Sequence, residues 1–519
     1  MLGIGQAPGK TEIVTRQVFT GGAGKTLYGV MLQAGLNKSQ TPLGSLVMCK
    51  PPDDGRGNDR APTSQEQLCC HAFLRDTIWE VRPELILAFG GPAAQRLTGK
   101  GPITTIHGGF YPLLPEFEHE CQVLCLYHPN YVMRQRQQIP VMVRDMQKVH
   151  EFFTQGRIEV TERKEMKQLI LDPSVQELYD YLHNGTEGEV VAFDTETTSL
   201  NTREAQLLGA SFSRSETSAC AVYFTPGDRR IEVMYNWLEN PVYKKATQNG
   251  TYDCAVLLTN GCEVHKESLV YDTRLAEQLI NSDGKKDLNH LRAVYTDIAP
   301  YKPTKREMKE IATWGKDRML QYAALDALCT KQVMEKQRHL MTPKQQALLQ
   351  DLLLPVSFSL SKMERRGMNV DVGTLGLKYA EVLPRIEALQ AEIEEKWNVN
   401  PNSPTQICER FHLTETDRET LEDRIEAGDA CSEAYTKILE FRDLSKGAST
   451  FLRGVYERLE GGRIHTSYNL EGTGTGRLSS SNPNLQNIRK PFRVIYIADR
   501  DDRVLVAADY KQLELRVAA

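Results

Sequence analysis

The sequence predicts a multidomain protein that combines α/β and α+β domains. A chain of 519 residues exceeds what one hydrophobic core usually serves, so three or four domains are expected. Residues 1–150 alternate short apolar runs with helical segments and loops rich in Gly and Pro, a pattern typical of an α/β domain with a mainly parallel sheet. A second α/β unit covers residues 186–340, and from residue 341 apolar side chains recur at steps of three and four, which predicts helices.

The remaining elements follow from shorter patterns. Residues 151–185 carry mixed charge, with one helix indicated after Pro173, and are expected to form a connector. In the helical part, apolar side chains between Ile386 and Trp397 share one face. Two short strands are expected near the end of the sequence, at Val494–Ala498 and Val504–Ala508.

Composition narrows the class of protein. A hydrophobic content of 40% and a charged content of 25% are those of an ordinary globular protein, and no apolar run is long enough to cross a bilayer. The opening residues lack the basic start of a secretion signal, so a cytoplasmic location without membrane contact is expected. The 11 cysteines are expected to be thiols. A net charge of −5 argues against a protein surface that binds nucleic acid all over, but it is compatible with a local basic groove that binds phosphates.

Acidic residues recur at structurally meaningful places between residues 190 and 326. Glu189–Phe193 predicts a buried strand, and Asp194 and Glu196 follow two residues apart, so their side chains should point to the same side of the sheet. Tyr322 and Asp326 lie four apart, which places them on one face of a predicted helix. Taken singly, an Asp-x-Glu or a Tyr-x-x-x-Asp pattern is also common on ordinary protein surfaces.

Together with Asp253, these residues suit metal-dependent phosphodiester hydrolysis. Carboxylate oxygens can hold two Mg²⁺ or Mn²⁺ ions about 4 Å apart, which stabilise the attacking and leaving oxygens of an in-line displacement. A neighbouring phenol can orient the attacking water.

In chain order, these pieces resemble the three motifs of DEDD-class 3′–5′ proofreading exonucleases of the tyrosine variety. The resemblance implies a ribonuclease H-like domain over residues 186–340 that acts on single-stranded 3′ ends of DNA. It also implies the roles of individual residues. The metal ligands would be Asp194, Glu196, Asp253 and Asp326, with Tyr322 as a further catalytic residue.

Two C-terminal segments, Thr475–Ile488 and Asp509–Arg516, resemble neighbouring signatures of A-family DNA polymerases, the class of bacterial DNA polymerase I. The resemblance implies a helical thumb and the start of a palm over residues 341–519. The fingers and the rest of the palm would lie beyond Ala519, so we expect that this chain does not polymerise by itself and that dNTP serves only an intact protein.

The same resemblance assigns roles within this segment. Primer–template DNA would be contacted by Arg442, Lys446, Arg477, Asn484 and Gln486, a catalytic metal would be bound by Asp509, and the sugar would be selected by Glu514. Arg442 and Lys446 are one helical turn apart, so both could meet one phosphate strand. A solvated helix face is the alternative interpretation for this pair.

The N-terminal domain, residues 1–150, resembles iron–sulfur uracil-DNA glycosylases in the segments Gly5–Gly9, Met48–Pro52 and Tyr127–Pro129. The resemblance implies that Phe19 stacks on a flipped uracil and that His128 stabilises the leaving base.

This N-terminal sequence departs from that family at three points. Gln6 replaces a glutamate, Ser45 stands where a uracil-reading asparagine is expected, and only Cys49 and Cys70 match cluster ligands. A [4Fe–4S] cluster normally takes four thiolates, so none is expected in this chain.

Three functional hypotheses remain open at the level of sequence. The first is an A-family polymerase fragment with an active proofreading exonuclease, in a fusion that resembles the polymerases of some large bacteriophages. The second is a catalytically inactive DNA-binding or scaffolding fragment. The third is uracil-DNA glycosylase activity from the N-terminal domain.

Overall fold

The computed structural model describes residues 1–53, 60–155, 168–186, 188–296, 298, 301–302 and 314–518. They form two compact units. The first, called here the N-terminal unit, is Met1–Phe358 with Gly474–Gly476, and the second, the C-terminal unit, is Ser359–Thr473 with Arg477–Ala519. None of the helices in the described ranges is both long and apolar enough to span a membrane.

The N-terminal unit begins with a five-stranded sheet in the order β2-β1-β3-β5-β4. All neighbours run parallel except the antiparallel pair β4 and β5, as the sequence predicts for this domain. The strands are β1 Leu2–Gly5, β2 Leu43–Ser45, β3 Leu85–Phe89, β4 Phe110–Pro112 and β5 Gln122–Leu126. The helices are Lys10–Thr15, Gly22–Gln33, Ser64–Cys69, His71–Val81, Gly91–Thr98, Ile103–Ile106, Pro129–Arg134 and Ile139–Gln155, with 3₁₀ turns at Lys38–Gln40, Pro115–Phe117 and Arg136–Gln138.

Strand β3 explains why this sheet is covered on both faces. All five of its residues are buried. Leu85, Leu87 and Phe89 belong to one hydrophobic cluster, and Ile86 and Ala88 belong to another. Successive strand residues point to opposite faces, so a continuous apolar run requires packing on both sides.

The second sheet of this unit has six strands in the order β11-β10-β7-β8-β9-β6 and is mixed. Its strands are β6 Gln168–Leu171, β7 Val190–Thr197, β8 Leu207–Ser215, β9 Ser218–Tyr223, β10 Lys244–Thr247 and β11 Leu269–Asp272. The helices around it are Val175–His183, Arg230–Glu239, Gly250–Thr259, Thr273–Ile280, Leu288–Tyr295, Lys316–Leu340 and Pro343–Leu348, and Leu349–Leu353 is a π-helix.

Part of the predicted connector belongs to this second sheet. Strand β6 pairs in parallel with β9, and the helix Val175–His183 follows it. Leu169 and Leu171 pack against the same hydrophobic cluster that contains Leu87 of the first sheet and Leu291 and Leu328 of later helices. The two α/β parts of the N-terminal unit therefore share a continuous core.

The C-terminal unit is mainly helical, as predicted. Its helices are Leu354–Arg366 (which contains the boundary between the units), Val372–Trp397, Pro404–Phe411, Arg418–Glu426, Ser432–Ala448, Gly454–Tyr456 and Leu513–Ala518, with a π-helix at Ser449–Arg453 and a 3₁₀-helix at Lys490–Ile495. Its strands are β12 Met368–Val370, β13 Arg463–Ile464, β14 Ser467–Asn469, β15 Ser479–Ser481 and β16 Tyr496–Ile497. Strand β12 pairs antiparallel with β13 and β16, and β14 pairs antiparallel with β15.

The prediction of a strand at Val504–Ala508 is wrong. These residues have no regular secondary structure, and Val504 and Val506 are 81% and 84% exposed. The run is apolar enough for a strand, but no described strand lies beside it to accept its backbone hydrogen bonds. The other predicted strand shortens to Tyr496–Ile497 because Lys490–Ile495 forms a 3₁₀-helix.

Candidate metal centre

Three acidic side chains converge where β7 meets the long helix Lys316–Leu340. Asp194 and Glu196 both lie on β7, in its second half, and Asp326 lies on the helix, which packs across β7, β8 and β9. One carboxylate oxygen from each of the three residues lies within 4.8 Å of the other two. Among the described residues this is the one group of three or more side chains with that geometry.

Asp253 is held beside the same strand by hydrogen bonds. Its Oδ1 accepts from the Thr195 backbone N–H at 3.1 Å and from the Thr195 hydroxyl at 2.6 Å. The helix that carries it begins after Asn249, whose φ is 65°, and Asp272 accepts from the Gly250 N–H at 2.8 Å. Asp253 is not part of the group within 4.8 Å, but it is 2% exposed and its charge acts on Asp194.

The electrostatics of this acidic cluster, Asp194, Glu196, Asp253 and Asp326, favour a bound cation. Burial raises the pKa of Asp194 well above its ordinary value, and the charge of Asp253 raises it further. Burial likewise raises the pKa of Glu196 to about 8 and that of Asp253 to about 7. In the described part of the chain, Glu196 Oε1 is buried without a hydrogen-bond donor. An unpartnered oxygen among crowded carboxylates fits a divalent cation, which takes oxygen ligands and offsets their repulsion.

Tyr322 lies one helical turn before Asp326 and is 8% exposed. Its hydroxyl oxygen accepts a hydrogen bond from Lys302 Nζ at 2.8 Å, and burial raises its pKa. Lys302 Nζ also donates to Asp326 Oδ2, while the Tyr301 hydroxyl donates to Asp326 Oδ1 at 2.5 Å. Both oxygens of Asp326 therefore already have a proton donor.

Sequence reasoning missed Tyr301, Lys302 and Thr195. Thr195 stands between the two predicted carboxylates, and a hydroxyl at that point was the one available signal. Tyr301 and Lys302 belong to no motif, so nothing in the local pattern points to them.

A second cleft, of about 470 Å³, lies in the first α/β part and is lined by Gln6, Glu12, Phe19, Ser45 and His128, among others. Phe19 packs edge-on against Phe89, with ring centroids 5.6 Å apart. His128 Nδ1 accepts from the Asn130 N–H at 3.1 Å, so the ring proton is on Nε2. Burial lowers the pKa of His128 to about 4, with Arg134 adding to the effect, so the ring is neutral at pH 7.

The carboxylate of that cleft, Glu12, is engaged by the backbone, because its Oε1 accepts from the Gly21 N–H at 2.8 Å. Cys49 is exposed and Cys70 is half-buried. These two thiols are fewer than the four thiolates that a [4Fe–4S] cluster normally takes.

The predicted DNA-contacting pair of the C-terminal unit lies on one helix, Ser432–Ala448. Lys446 is exposed. Arg442 is half-buried and donates to the backbone oxygen of Thr416 and, at 3.2 Å, to its hydroxyl.

The other predicted polymerase residues lie towards the end of the sequence. Arg477 and Glu514 form an exposed ion pair, and Asp509 is exposed in a stretch without regular secondary structure. Asn484 Oδ1 accepts from the Gln486 N–H at 3.0 Å, and Gln486 Nε2 donates to the Leu478 oxygen at 3.1 Å. These amides organise their own loop, and among the described residues Asp509 belongs to no group of three or more His, Cys, Asp or Glu side chains that could share a metal.

Three family models match consecutive parts of this chain. The Uracil DNA glycosylase superfamily matches residues 1–153, the 3′-5′ exonuclease family matches residues 173–341, and DNA polymerase family A matches residues 375–519. Three consecutive segments of the chain are therefore similar to three families: the uracil-DNA glycosylase superfamily, the 3′-5′ exonuclease family and DNA polymerase family A. The acidic cluster lies among the residues that the 3′-5′ exonuclease model matches.

The curated relatives of this chain include two bacterial proteins named DNA polymerase I. DNA polymerase I of Pseudomonas aeruginosa is 30% identical over 375 residues, which cover 64% of this chain and 41% of the relative. DNA polymerase I of Bacillus subtilis is 31% identical over 359 residues, 63% of this chain and 39% of the relative. The chain thus spans about two fifths of the length of these curated relatives.

A solved structure shares the fold. The POL domain of Pol1 from M. smegmatis, in complex with DNA primer-template and dNTP, matches with a TM-score of 0.53 and 22% identity. The match covers 63% of this chain and 57% of that one.

Proposed function

We propose that the acidic cluster binds two divalent cations, Mg²⁺ or Mn²⁺, and hydrolyses the terminal phosphodiester at single-stranded 3′ ends of DNA. The observation that carries the proposal is the convergence of Asp194, Glu196 and Asp326 oxygens within 4.8 Å, beside the buried phenol of Tyr322. When bound, the cations would stabilise the charge that develops on the attacking and leaving oxygens.

The side chains of the cluster contribute different parts of this chemistry. Glu196 offers the buried oxygen without a donor, and Asp194 shares its strand and its side of the sheet. Thr195 fixes the orientation of Asp253 through its N–H and its hydroxyl. Tyr322 is placed to orient an attacking water, because its oxygen accepts from Lys302 and its own O–H remains available as a donor.

The test compares Asp194→Ala with a control variant, Glu216→Gln, which removes a carboxylate outside the cluster. Glu216 is exposed and lies in the same domain, outside the cluster. A labelled single-stranded oligonucleotide should be shortened from its 3′ end by the unmodified chain and by Glu216→Gln, and EDTA should stop both reactions. Asp194→Ala should lose at least about 10³-fold in rate, because a metal ligand is removed. A chain that binds the oligonucleotide but never shortens it would support the scaffolding hypothesis instead.

For the polymerase segment, we propose that Lys446, Arg477 and Gln486 contact primer–template DNA, and that Arg442 and Asn484 hold this surface in shape. The M. smegmatis relative is described with DNA primer-template and dNTP, which supports DNA as the partner. Asp509 and Glu514 are proposed to bind a metal and to select the sugar in polymerisation by a longer protein. Primer–template affinity, measured by fluorescence anisotropy, should fall in Lys446→Ala and stay unchanged in Glu216→Gln.

A second candidate function concerns the cleft that contains His128. The neutral ring presents an Nε2–H donor, Phe19 offers an aromatic surface, and the superfamily match supports base binding there. Incubation with a uracil-containing oligonucleotide tests excision directly. Release of uracil that is lost in His128→Ala would establish it, and intact oligonucleotide after prolonged incubation would exclude it.

We place these activities in the cytoplasm of a bacterium or a phage-infected cell, because the named relatives are bacterial.

A further inference from the structure

We infer that the Lys302 ammonium is a resident cation of the acidic cluster, one that competes with divalent metal for Asp326 and must be displaced before the metal is loaded. The inference rests on the proposed exonuclease function of the cluster. It adds a residue that neither the motifs nor the family matches assign.

The contacts of Lys302 place its charge inside the cluster. Its Nζ donates both to Asp326 Oδ2 and to the Tyr322 hydroxyl, the latter at 2.8 Å, and it lies 4.7 Å from the centre of the Tyr322 ring. The side chain is 22% exposed, against 6% for Asp326. The preceding residue, Tyr301, donates to the other Asp326 oxygen, so two successive residues engage the whole carboxylate.

The charge of Lys302 extends beyond its direct partners. Burial raises the pKa of both Asp194 and Glu196, and the Lys302 charge acts in the opposite direction on each. Lys302 thus offsets part of the repulsion among the carboxylates, which is the role that a bound metal would also fill.

A metal at this cluster and the ammonium in its present position exclude each other electrostatically. A divalent ion bound about 2.1 Å from Asp326 Oδ2 would lie roughly 4 Å from a nitrogen that is hydrogen-bonded to the same oxygen. Like charges at that distance repel strongly at a partly buried site. The metal therefore binds a form of the chain from which Lys302 has moved, and its apparent affinity is reduced by the small population of that form.

The first test measures Mn²⁺ binding to the full chain without DNA, by electron paramagnetic resonance. Lys302→Gln removes the charge and is expected to tighten the first Mn²⁺ site by about tenfold, whereas Lys302→Arg keeps the charge and should stay within about twofold of the unmodified chain. Lys316→Gln is the matched control, because Lys316 is 47% exposed and pairs with Asp172 away from the cluster. Unchanged or weaker Mn²⁺ binding in Lys302→Gln would overturn the inference.

The second test uses the unmodified chain, so it does not depend on the folding of a variant. An amine-acylating reagent followed by mass spectrometry reports the reactivity of Lys302 relative to Lys316. Adding Mg²⁺ should raise that ratio by at least about threefold, because the metal displaces the Lys302 ammonium from its hydrogen bond with Asp326. A ratio that Mg²⁺ leaves unchanged would also overturn the inference.

These outcomes are separate from the fate of the proposed function. Absence of 3′-end hydrolysis by the unmodified chain would refute the exonuclease proposal, while competition between Lys302 and metal would still be measurable by binding. If the chain is an active exonuclease and Lys302→Gln leaves its Mn²⁺ affinity unchanged, only the competition is refuted.

Discussion

Replacing Glu196 by Gln is expected to stabilise the metal-free chain at pH 8 but hardly at pH 5. Glu196 is 8% exposed, and its pKa rises from an ordinary 4.5 to about 8 through burial and the charge of Asp326. The unfolded chain releases the proton near pH 4.5, whereas the folded chain keeps it until about pH 8. The contribution of this group to the free energy of unfolding is therefore greatest below pH 4.5 and is lost as the pH rises through 8.

The size of the effect follows from that difference in pKa. At about 1.4 kcal/mol per pH unit, the interval from 4.5 to about 8 corresponds to roughly 5 kcal/mol when the group is ionised in both states. At pH 8 the folded group is about half protonated, and the neighbouring carboxylates titrate together with it, so only part of this free energy belongs to Glu196. We therefore expect Glu196→Gln to raise the free energy of unfolding by about 2–4 kcal/mol at this pH. At pH 5 the gain should fall below about 1 kcal/mol.

Scanning calorimetry in EDTA measures this difference. A gain of that size should raise the unfolding temperature of the N-terminal unit by several degrees at pH 8, given roughly 2–4 °C per kcal/mol for domains of 150–250 residues. Glu216→Gln, an exposed control, should leave the pH dependence unchanged. The reasoning would be refuted if Glu196→Gln were no more stable than the unmodified chain at pH 8, or gained equally at both pH values.

Three further predictions concern other parts of the chain. Tyr322→Phe should slow 3′-end hydrolysis by about 10²-fold in single-turnover assays at saturating Mn²⁺, because the phenol is proposed to orient the attacking water. Gly24→Ala should lower the free energy of unfolding by more than about 2 kcal/mol, since a Cβ there would lie 1.7 Å from the Phe19 backbone oxygen. Lys446→Ala should reduce the salt dependence of primer–template affinity by about one phosphate contact, because Lys446 is exposed on its helix.

Two of these predictions have an internal control. Gly29→Ala lies on the same helix as Gly24 with nothing within 4 Å of its Cβ, so it should gain about 1 kcal/mol from helix propensity, measured by urea unfolding. Arg442→Ala should lower the free energy of unfolding because the Thr416 contacts are lost. Its effect should therefore not be limited to the salt dependence of primer–template affinity. Equal losses in Gly24→Ala and Gly29→Ala, or a Tyr322→Phe variant with full activity, would contradict the corresponding reasoning.

The parts of the site that were predictable from sequence depend on local geometry. Asp194 and Glu196 share a side of β7 because strand residues repeat every two positions, and Tyr322 and Asp326 share a helical face because four residues make about one turn. Neither conclusion needs knowledge of a distant partner. The family resemblance then supplied Asp253, which no local pattern singles out.

The parts that were not predictable depend on long-range pairing. Lys302 reaches Asp326 across 24 residues, and Thr195 reaches Asp253 across 58, with no periodic pattern linking either pair. The sequence predicts a connector where β6 lies because its partner, β9, comes some 50 residues later. The run Val504–Ala508 shows the opposite failure, in which strand-like composition has no described neighbour to pair with.

A crystal structure of the chain soaked with Mn²⁺, with anomalous diffraction used to locate the ion, tests the central claim most directly. We predict one Mn²⁺ bound by oxygens of Asp194, Glu196 and Asp326 at roughly 2.0–2.3 Å, and a second ion about 4 Å away towards Asp253. Anomalous peaks that avoid these carboxylates, or no peak there at saturating Mn²⁺, would contradict the account.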